Sequence, residues 1–236
     1  MSGSHVLEIS VENLETALAA QRGGAHRLEL CADLAVGGLT PSAELMRRVR
    51  ADIRLPIFAM IRPRAGNFVC GEAEFGFMRR DVASCHELGM DGCVFGLLRE
   101  DRHIDVQRTR MLVELARPLP VTFHRAFDAS DNLRESLEDV IATGAARILT
   151  SGGALTAVEG LAVLKDLVSA AGDRIIIVPG SGINASNIGE LARKTRAREF
   201  HSGLGSILAY GRGDRDLFEE NVRQLANALT TTQSPK

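Results

Sequence analysis

Two glutamates stand where aliphatic side chains would otherwise continue: Glu8 within Leu-Glu-Ile and Glu29 within Leu-Glu-Leu. A strand carboxylate flanked by aliphatic residues must find a cation or hydrogen-bond donors, because burying it alone is costly. Arg62, Arg125 or a metal ion are the candidate partners. Two readings stand side by side: a structural ion-pair network, or carboxylates for general acid–base work. His124 ends the run Val-Thr-Phe-His and precedes Arg125. An imidazole at a strand end suits a general base, a general acid or a ligand. Glu8, Glu29 and His124 are therefore the candidate catalytic residues, with His201 of Glu-Phe-His-Ser close behind. His5, His26, His86 and His103 fall at strand starts, on a helix or in a loop, and read as structural or surface residues.

Ligand-binding candidates surround this set. The stretch Ile61–Phe68 carries Arg62 and Arg64, whose guanidinium groups could clamp a carboxylate or phosphate, and the segment is long enough for a lid. The alternative for Arg64 is a solvated loop charge. Arg125 and Asp128 follow His124. Three Gly-rich turns hold Ser151 and Gly152, Gly180 and Gly182, and His201 with Ser202. Glycine lets backbone N–H groups approach an anion closely. Turn geometry needing positive φ explains the same glycines, and no lysine-bearing phosphate loop accompanies them.

The elements that must position these residues are legible as a repeat. Short β-branched or aliphatic runs recur at Val6–Ser10, Arg27–Cys31, Pro56–Ile61, Gly92–Phe95, Val121–His124, Arg147–Thr150, Arg174–Pro179 and Arg198–His201. Amphipathic segments alternate with them: Leu14–Gln21, Glu44–Arg50, Phe77–Leu88, Val106–Ala116, Leu133–Ala142, Ala157–Ala170, Ile188–Lys194 and Leu217–Leu229. Ser42, Asp131 and the Asn184–Ser186 stretch mark helix starts, while Gly24, Gly89, Gly144 and Gly172 mark helix ends. Strand and helix alternating about eight times predict an α/β fold, a TIM-type (β/α)8 barrel forming one domain over residues 1–236, with a frayed polar tail from 230 to 236. No Gly-x-Gly-x-x-Gly turn follows the first strand, so no nucleotide cofactor motif is present. In such a barrel the collected polar residues converge on one mouth.

Composition narrows the partners. The formal net charge is -2 and basic residues are scattered among acidic ones, which argues against nucleic acid and anionic membrane surfaces. Glu8, Glu12 and Glu15 interrupt the N-terminal stretch, no apolar run approaches membrane-spanning length, and a cytoplasmic location is expected. The 4 cysteines form no Cys-x-x-Cys pair, so reduced thiols are expected rather than a disulfide framework or structural zinc.

Six stretches carry a resemblance: Arg27–Cys31, Gly37–Ser42, Ile61–Arg64, Val121–Asp128, Leu149–Gly152 and Glu199–Ser202. In this order, over about Val6 to Ser202, the sequence resembles the copper homeostasis protein CutC family. The resemblance implies a (β/α)8 barrel, a cytoplasmic homo-oligomer, and copper homeostasis with Cu(I) bound through cysteines at the ends of the first and second strands. Cys31 matches the second position and is the metal-ligand candidate; Ser10 stands at the first. Cu(I) prefers thiolate or thioether ligands, and a serine hydroxyl is a hard, weak donor for it. Cys31 also reads as a small buried apolar residue.

Two functions follow, with a copper ion or a small anionic ligand as partner. One is copper handling through Cys31 with a nearby Met, His or second chain. The other is an isomerase or lyase acting on a small anionic or phosphorylated metabolite. There Arg62 and the late turns hold the anion, Glu8, Glu29 and His124 move protons, and His124 or an arginine steadies an oxyanion. A divalent ion on Glu8, Glu29, His124 and His201 is the further cofactor option, since oxygen and imidazole donors suit Mn²⁺ or Zn²⁺.

Overall fold

The computed structural model describes residues 5–204 and 215–231. Each aliphatic run forms a strand: β1 (Val6–Val11), β2 (Arg27–Leu30), β3 (Ile57–Met60), β4 (Gly92–Phe95), β5 (Val121–Phe123), β6 (Arg147–Thr150), β7 (Ile176–Pro179) and β8 (Glu199–Ser202). Each amphipathic run forms a helix: α1 (Leu14–Gly23), α2 (Ala43–Asp52), α3 (Glu72–Glu87), α4 (Val106–Ala116), α5 (Leu133–Thr143), α6 (Leu161–Ala171), α7 (Ile188–Thr195) and α8 (Arg215–Thr231). The strands are parallel and ordered β7-β6-β5-β4-β3-β2-β1-β8. Because β1 pairs with both β2 and β8, the sheet curls until β8 lies beside β7, giving the expected (β/α)8 barrel.

Strand parity decides what faces inward. On β1, Leu7, Ile9 and Val11 join the core beneath the helices, so the period of two sends Glu8 and Ser10 into the barrel. The same parity turns Arg27 and Glu29 inward on β2, Arg147 and Leu149 on β6, and Glu199 and His201 on β8. A second apolar cluster of Cys31, Phe58, Met60 and Val94 packs inside the barrel.

Element ends differ from the sequence expectation where a local bond competes. The Glu74 carboxylate accepts from Gly71 N–H at 3.0 Å, and α3 begins at Glu72 rather than Phe77. Ala157 N–H bonds the Ser181 carbonyl at 2.9 Å instead of entering a helix, so α6 begins at Leu161. Asn132, not Asp131, caps α5, its Oδ1 accepting from Arg134 and Glu135 N–H. Ser42 caps α2 as expected, and Gly24 and Gly144 end α1 and α5 in left-handed conformations that favour glycine. Helix α8 runs to Thr231; the remainder of the expected tail, residues 232–236, lies outside the described residues.

Candidate functional site

The deepest polar layer is an ion network. Arg27 Nε donates to Glu8 Oε2, and Arg27 Nη2 to Glu199 Oε2 at 2.7 Å. Arg147 Nε donates to the same Glu199 oxygen at 2.8 Å. Two acids thus balance two guanidinium groups, both of which lie over the Phe58 ring, at 4.9 and 5.4 Å from its centroid. The sequence signal for this layer is parity: Arg27, Arg147 and Glu199 each stand two positions before an inward residue. Burial alone would raise the Glu8 pKa, but Arg27 and His201 outweigh it and hold the carboxyl at about 2.

Above this layer the strand registers set up a chain of four groups. Glu8 is opposite His201 in the β1–β8 pairing, and Ser10 is opposite Glu29 in the β1–β2 pairing. His201 Nδ1 lies 2.8 Å from Glu8 Oε1, and His201 Nε2 lies 2.8 Å from Ser10 Oγ. Ser10 Oγ donates to Glu29 Oε2 at 3.1 Å, and the Cys31 thiol donates to that oxygen at 3.5 Å. Glu29 Oε1 is buried without a partner. Burial opposes charge on His201, yet Glu29 and Glu8 together raise its pKa. Burial, helped by Glu8, raises that of Glu29 against the pull of His201. Glu29, Ser10 and His201 thus form one continuous hydrogen-bonded line, with Glu8 on the other ring nitrogen of His201. The sequence marks Ser10 only as the residue at the first of the two metal-ligand positions; in the fold its hydroxyl is the link.

At the mouth, Arg62 Nη1 donates to the carbonyls of Val36 and Gly38, and Nη2 to that of Gly66. Its Nε is buried and unpartnered, and among the described residues no carboxylate pairs with it. The Phe68 ring packs on both neighbours, 4.9 Å from the Arg62 guanidinium and 5.0 Å from the His124 ring. His124 Nδ1 accepts from Ala126 N–H at 3.2 Å, so a neutral ring carries its proton on Nε2. Burial, reinforced by Arg62, pushes the His124 pKa down to about 3 and keeps the ring neutral.

Asp128 fills the turn after β6. Its carboxylate accepts from Ser151 N–H at 3.0 Å, Gly153 N–H at 2.9 Å and the Thr150 hydroxyl, and pairs with Arg125 Nε at 2.9 Å. Arg125 Nη2 reaches Ser151 Oγ at 3.0 Å, and Gly152 N–H is held by Thr150 Oγ1. The amides that an external anion would use there already meet an anion. After β7, Gly180 N–H bonds Thr150 O, and a Cβ at Gly180 would lie 2.5 Å from Leu149 Cδ1, so a larger residue there would have to move the Leu149 side chain. Ser202 Oγ donates to Ile183 O at 2.8 Å.

A cavity of about 760 Å³ opens above the chain of four. Its lining includes the polar Ser10, Glu29, Arg62, His124, Arg125, Asp128, His201 and Ser202, with Gly182, and the apolar Leu34, Val36, Met60, Phe68, Leu149, Leu155 and Ile183. Glu8, Cys31, Ser151, Gly152 and Gly180 stand behind this lining. Arg64 turns away, to Glu74 at 2.5 Å and Val69 O at 2.7 Å.

The donor atoms decide which metal each candidate site could hold. Burial and the neighbouring Glu29 push the Cys31 thiol well above its ordinary range, so it stays protonated. Its sulfur is fully enclosed, and the group facing it across Glu29 is the Ser10 hydroxyl; this donor set does not fit a two-thiolate Cu(I) site. Glu8, Glu29 and His201 offer ligand atoms within 4.8 Å of one another, without His124, and Glu29 Oε1 is the carboxylate oxygen of that group not already bonded.

Comparison with known proteins gives one consistent answer. A family model described as the CutC family matches residues 5–206. A family protein CutC of Chromobacterium violaceum is 43% identical over 230 residues, covering 96% of this chain and 93% of that protein. The copper homeostasis protein cutC homolog of Mus musculus is 43% identical over 201 residues, covering 85% and 74%. The crystal structure of CutC from Streptococcus agalactiae superimposes with a TM-score of 0.80 at 32% identity, covering 84% of this chain and 98% of that one.

Proposed function

The chain belongs to the CutC family, and from that premise we propose that its barrel mouth performs acid–base chemistry, of isomerase or lyase type, on a small anionic metabolite. One observation carries the reading: Arg62, a cation without a carboxylate partner among the described residues, shares a cavity with Glu29, whose Oε1 is buried and bare. An arginine so placed draws an anion into the barrel. Glu29 then takes a proton from the carbon beside a carbonyl, and Ser10 Oγ links that carboxylate to His201. His124 Nε2–H, neutral at every pH near 7, donates to the oxyanion that forms. Glu8 and Arg27 hold the His201 ring and touch no substrate.

Copper enters this reading as a possible cargo and not as a working part. The relatives carry a copper homeostasis name, and a site in this chain would have to run through Cys31. We read residues 1–236 as one domain of a cytoplasmic homo-oligomer; among the described residues no helix is long and apolar enough to cross a membrane.

The test is a thermal-unfolding screen of small carboxylates and phosphate esters against the protein, Arg62→Met and Glu29→Gln. A true ligand at a hundredfold its Kd adds about 2.7 kcal/mol, a rise of roughly 5 to 10 °C for a chain of this length. Arg62→Met should lose that rise and Glu29→Gln should keep most of it. A screen with no responding anion, or a response indifferent to Arg62, refutes the reading.

A further inference from the structure

We infer that the ligand of this cavity is a singly charged 2-oxo carboxylate with an apolar body, its carboxylate on Arg62 and its oxo group at His124. The inference rests on the acid–base reading above and names its substrate class.

Charge sets the first limit. With His124 held neutral, three described side chains lining the cavity can carry positive charge near pH 7. Arg125 is paired with Asp128 at 2.9 Å, and His201 lies between Glu8 at 2.8 Å and Glu29 at 3.8 Å. Arg62 alone is left without an acid, so the described lining balances one negative charge on a guest. A phosphate monoester near pH 7 brings close to two.

The turns set the second limit. A phosphate entering a barrel of this type would use backbone amides after the late strands. After β6 those amides bond the Asp128 carboxylate, which also takes the Thr150 hydroxyl. A carboxylate of the protein itself thus occupies the β6 turn, one of the turns a phosphate would use.

The remaining contacts favour an oxygen beside the guest's carboxylate. Phe68 packs against the Arg62 guanidinium at 4.9 Å and, tilted by 59°, against the His124 ring at 5.0 Å, so the two groups are gathered around one shared neighbour. A simple carboxylate would satisfy Arg62 and leave the imidazole donor idle. A carbonyl on the next carbon uses both. Met60, Leu149, Ile183 and Leu155 then give the rest of the guest an apolar lining.

The step conserves every atom. Glu29 takes a proton from C3, the C–H electron pair forms the C2=C3 bond, and the carbonyl pair moves onto the oxygen facing His124. Returning a proton to C3 reverses it, and no oxidant or second reactant is needed. In heavy water the proton returned is a deuteron.

The experiment uses the full chain and three probes: 4-methyl-2-oxopentanoate, the neutral ketone 4-methylpentan-2-one, and glycerol 3-phosphate. Binding is followed by calorimetry and exchange at C3 by proton NMR in heavy water. The oxo acid should bind most tightly and lose its C3 proton signal faster than in buffer. Arg62→Met should weaken its binding at least about tenfold, while Glu29→Gln should bind it and lose the exchange. If glycerol 3-phosphate binds better than the oxo acid, this inference falls and the acid–base reading survives. If neither anion binds, both fall. If the ketone matches the oxo acid, or the oxo acid binds without exchange, the assigned roles of Arg62 or Glu29 are overturned. The ranking of probes on the unaltered protein decides even where a variant fails to fold.

Discussion

Ser10 and Cys31 both bond the same oxygen, Glu29 Oε2, at 3.1 and 3.5 Å. A thiol at position 10 would therefore face Cys31 across a single carboxylate, whereas the hydroxyl offers a soft metal nothing. The expected outcome of an anaerobic Cu(I) titration against a chromophoric chelator is that the native protein fails to compete and Ser10→Cys acquires binding. Tight binding by the native protein that Cys31→Ser removes would reinstate a thiolate copper site. His124 supplies a second prediction, through pH. Its folded pKa, lowered to about 3, lies below the ordinary imidazole value of 6.5, so between those values the unfolded chain binds a proton that the native ring refuses. Its contribution to stability is therefore lost as pH falls from about 6.5 towards 3. His201 acts oppositely: its raised pKa contributes stability that is complete below 6.5 and lost as pH rises through the folded value. Imidazole NMR should find His124 neutral at pH 5 and His201 protonated there, and His124→Gln should flatten the acid limb of the stability curve. A His124 signal titrating near 6.5 would contradict the Arg62–His124 geometry.

At the scale of elements, the alternation of strand and helix was legible because period-two and helical patterns are local. The mouth was partly legible for the same reason: Glu29, His124 and His201 stand on strands or at strand ends. Depth was harder to read. Glu8 and Ser10 share a face of β1, yet only Ser10 reaches the cavity, and two residues of strand rise separate the ion layer from the lining. Arg64 was not legible, since a loop has no period to say which way a side chain turns, and Glu74, ten residues on, captures it. Nor was the filling of the β6 turn, which depends on Asp128 reaching across from the short turn Phe127–Ala129 after β5. Gly96, just past β4, shows what such closeness demands. A Cβ there would lie 2.7 Å from His124 Nδ1 and 2.9 Å from Phe123 Cε1. Gly96→Ala must displace the imidazole from Ala126 N–H, and overpacking of this kind costs about 1–3 kcal/mol. Urea unfolding should record that loss, and the His124 NMR signal should move with it; an unchanged signal would mean that Gly96 does not hold the ring in place.

At the scale of the whole molecule, the barrel holds its site only if the first and last units of the chain meet. They meet where β1 pairs with β8 to set Glu8 opposite His201, and also where α1 packs on α8. The second contact turns on Gly23. In an ordinary helix interior, replacing glycine by alanine gains about 0.5–1 kcal/mol through backbone entropy. Here a Cβ would lie 2.7 Å from the Glu219 backbone carbonyl oxygen and 2.7 Å from Val222 Cβ, both on α8, and a backbone atom cannot step aside as a flexible side chain can. Relieving that contact requires α8 to withdraw, taking the Arg22–Glu219 ion pair with it. A strain of about 1–3 kcal/mol outweighs the entropic gain, so Gly23→Ala should destabilise the fold although the same change elsewhere on a helix would stabilise it. Urea unfolding checks the sign, and hydrogen exchange of the β1 and β8 amides checks the cause: both strands should lose protection before β3 and β4 do. A stabilised variant would mean that α8 rides loosely on α1 and that the β1–β8 ladder alone keeps Glu8 against His201.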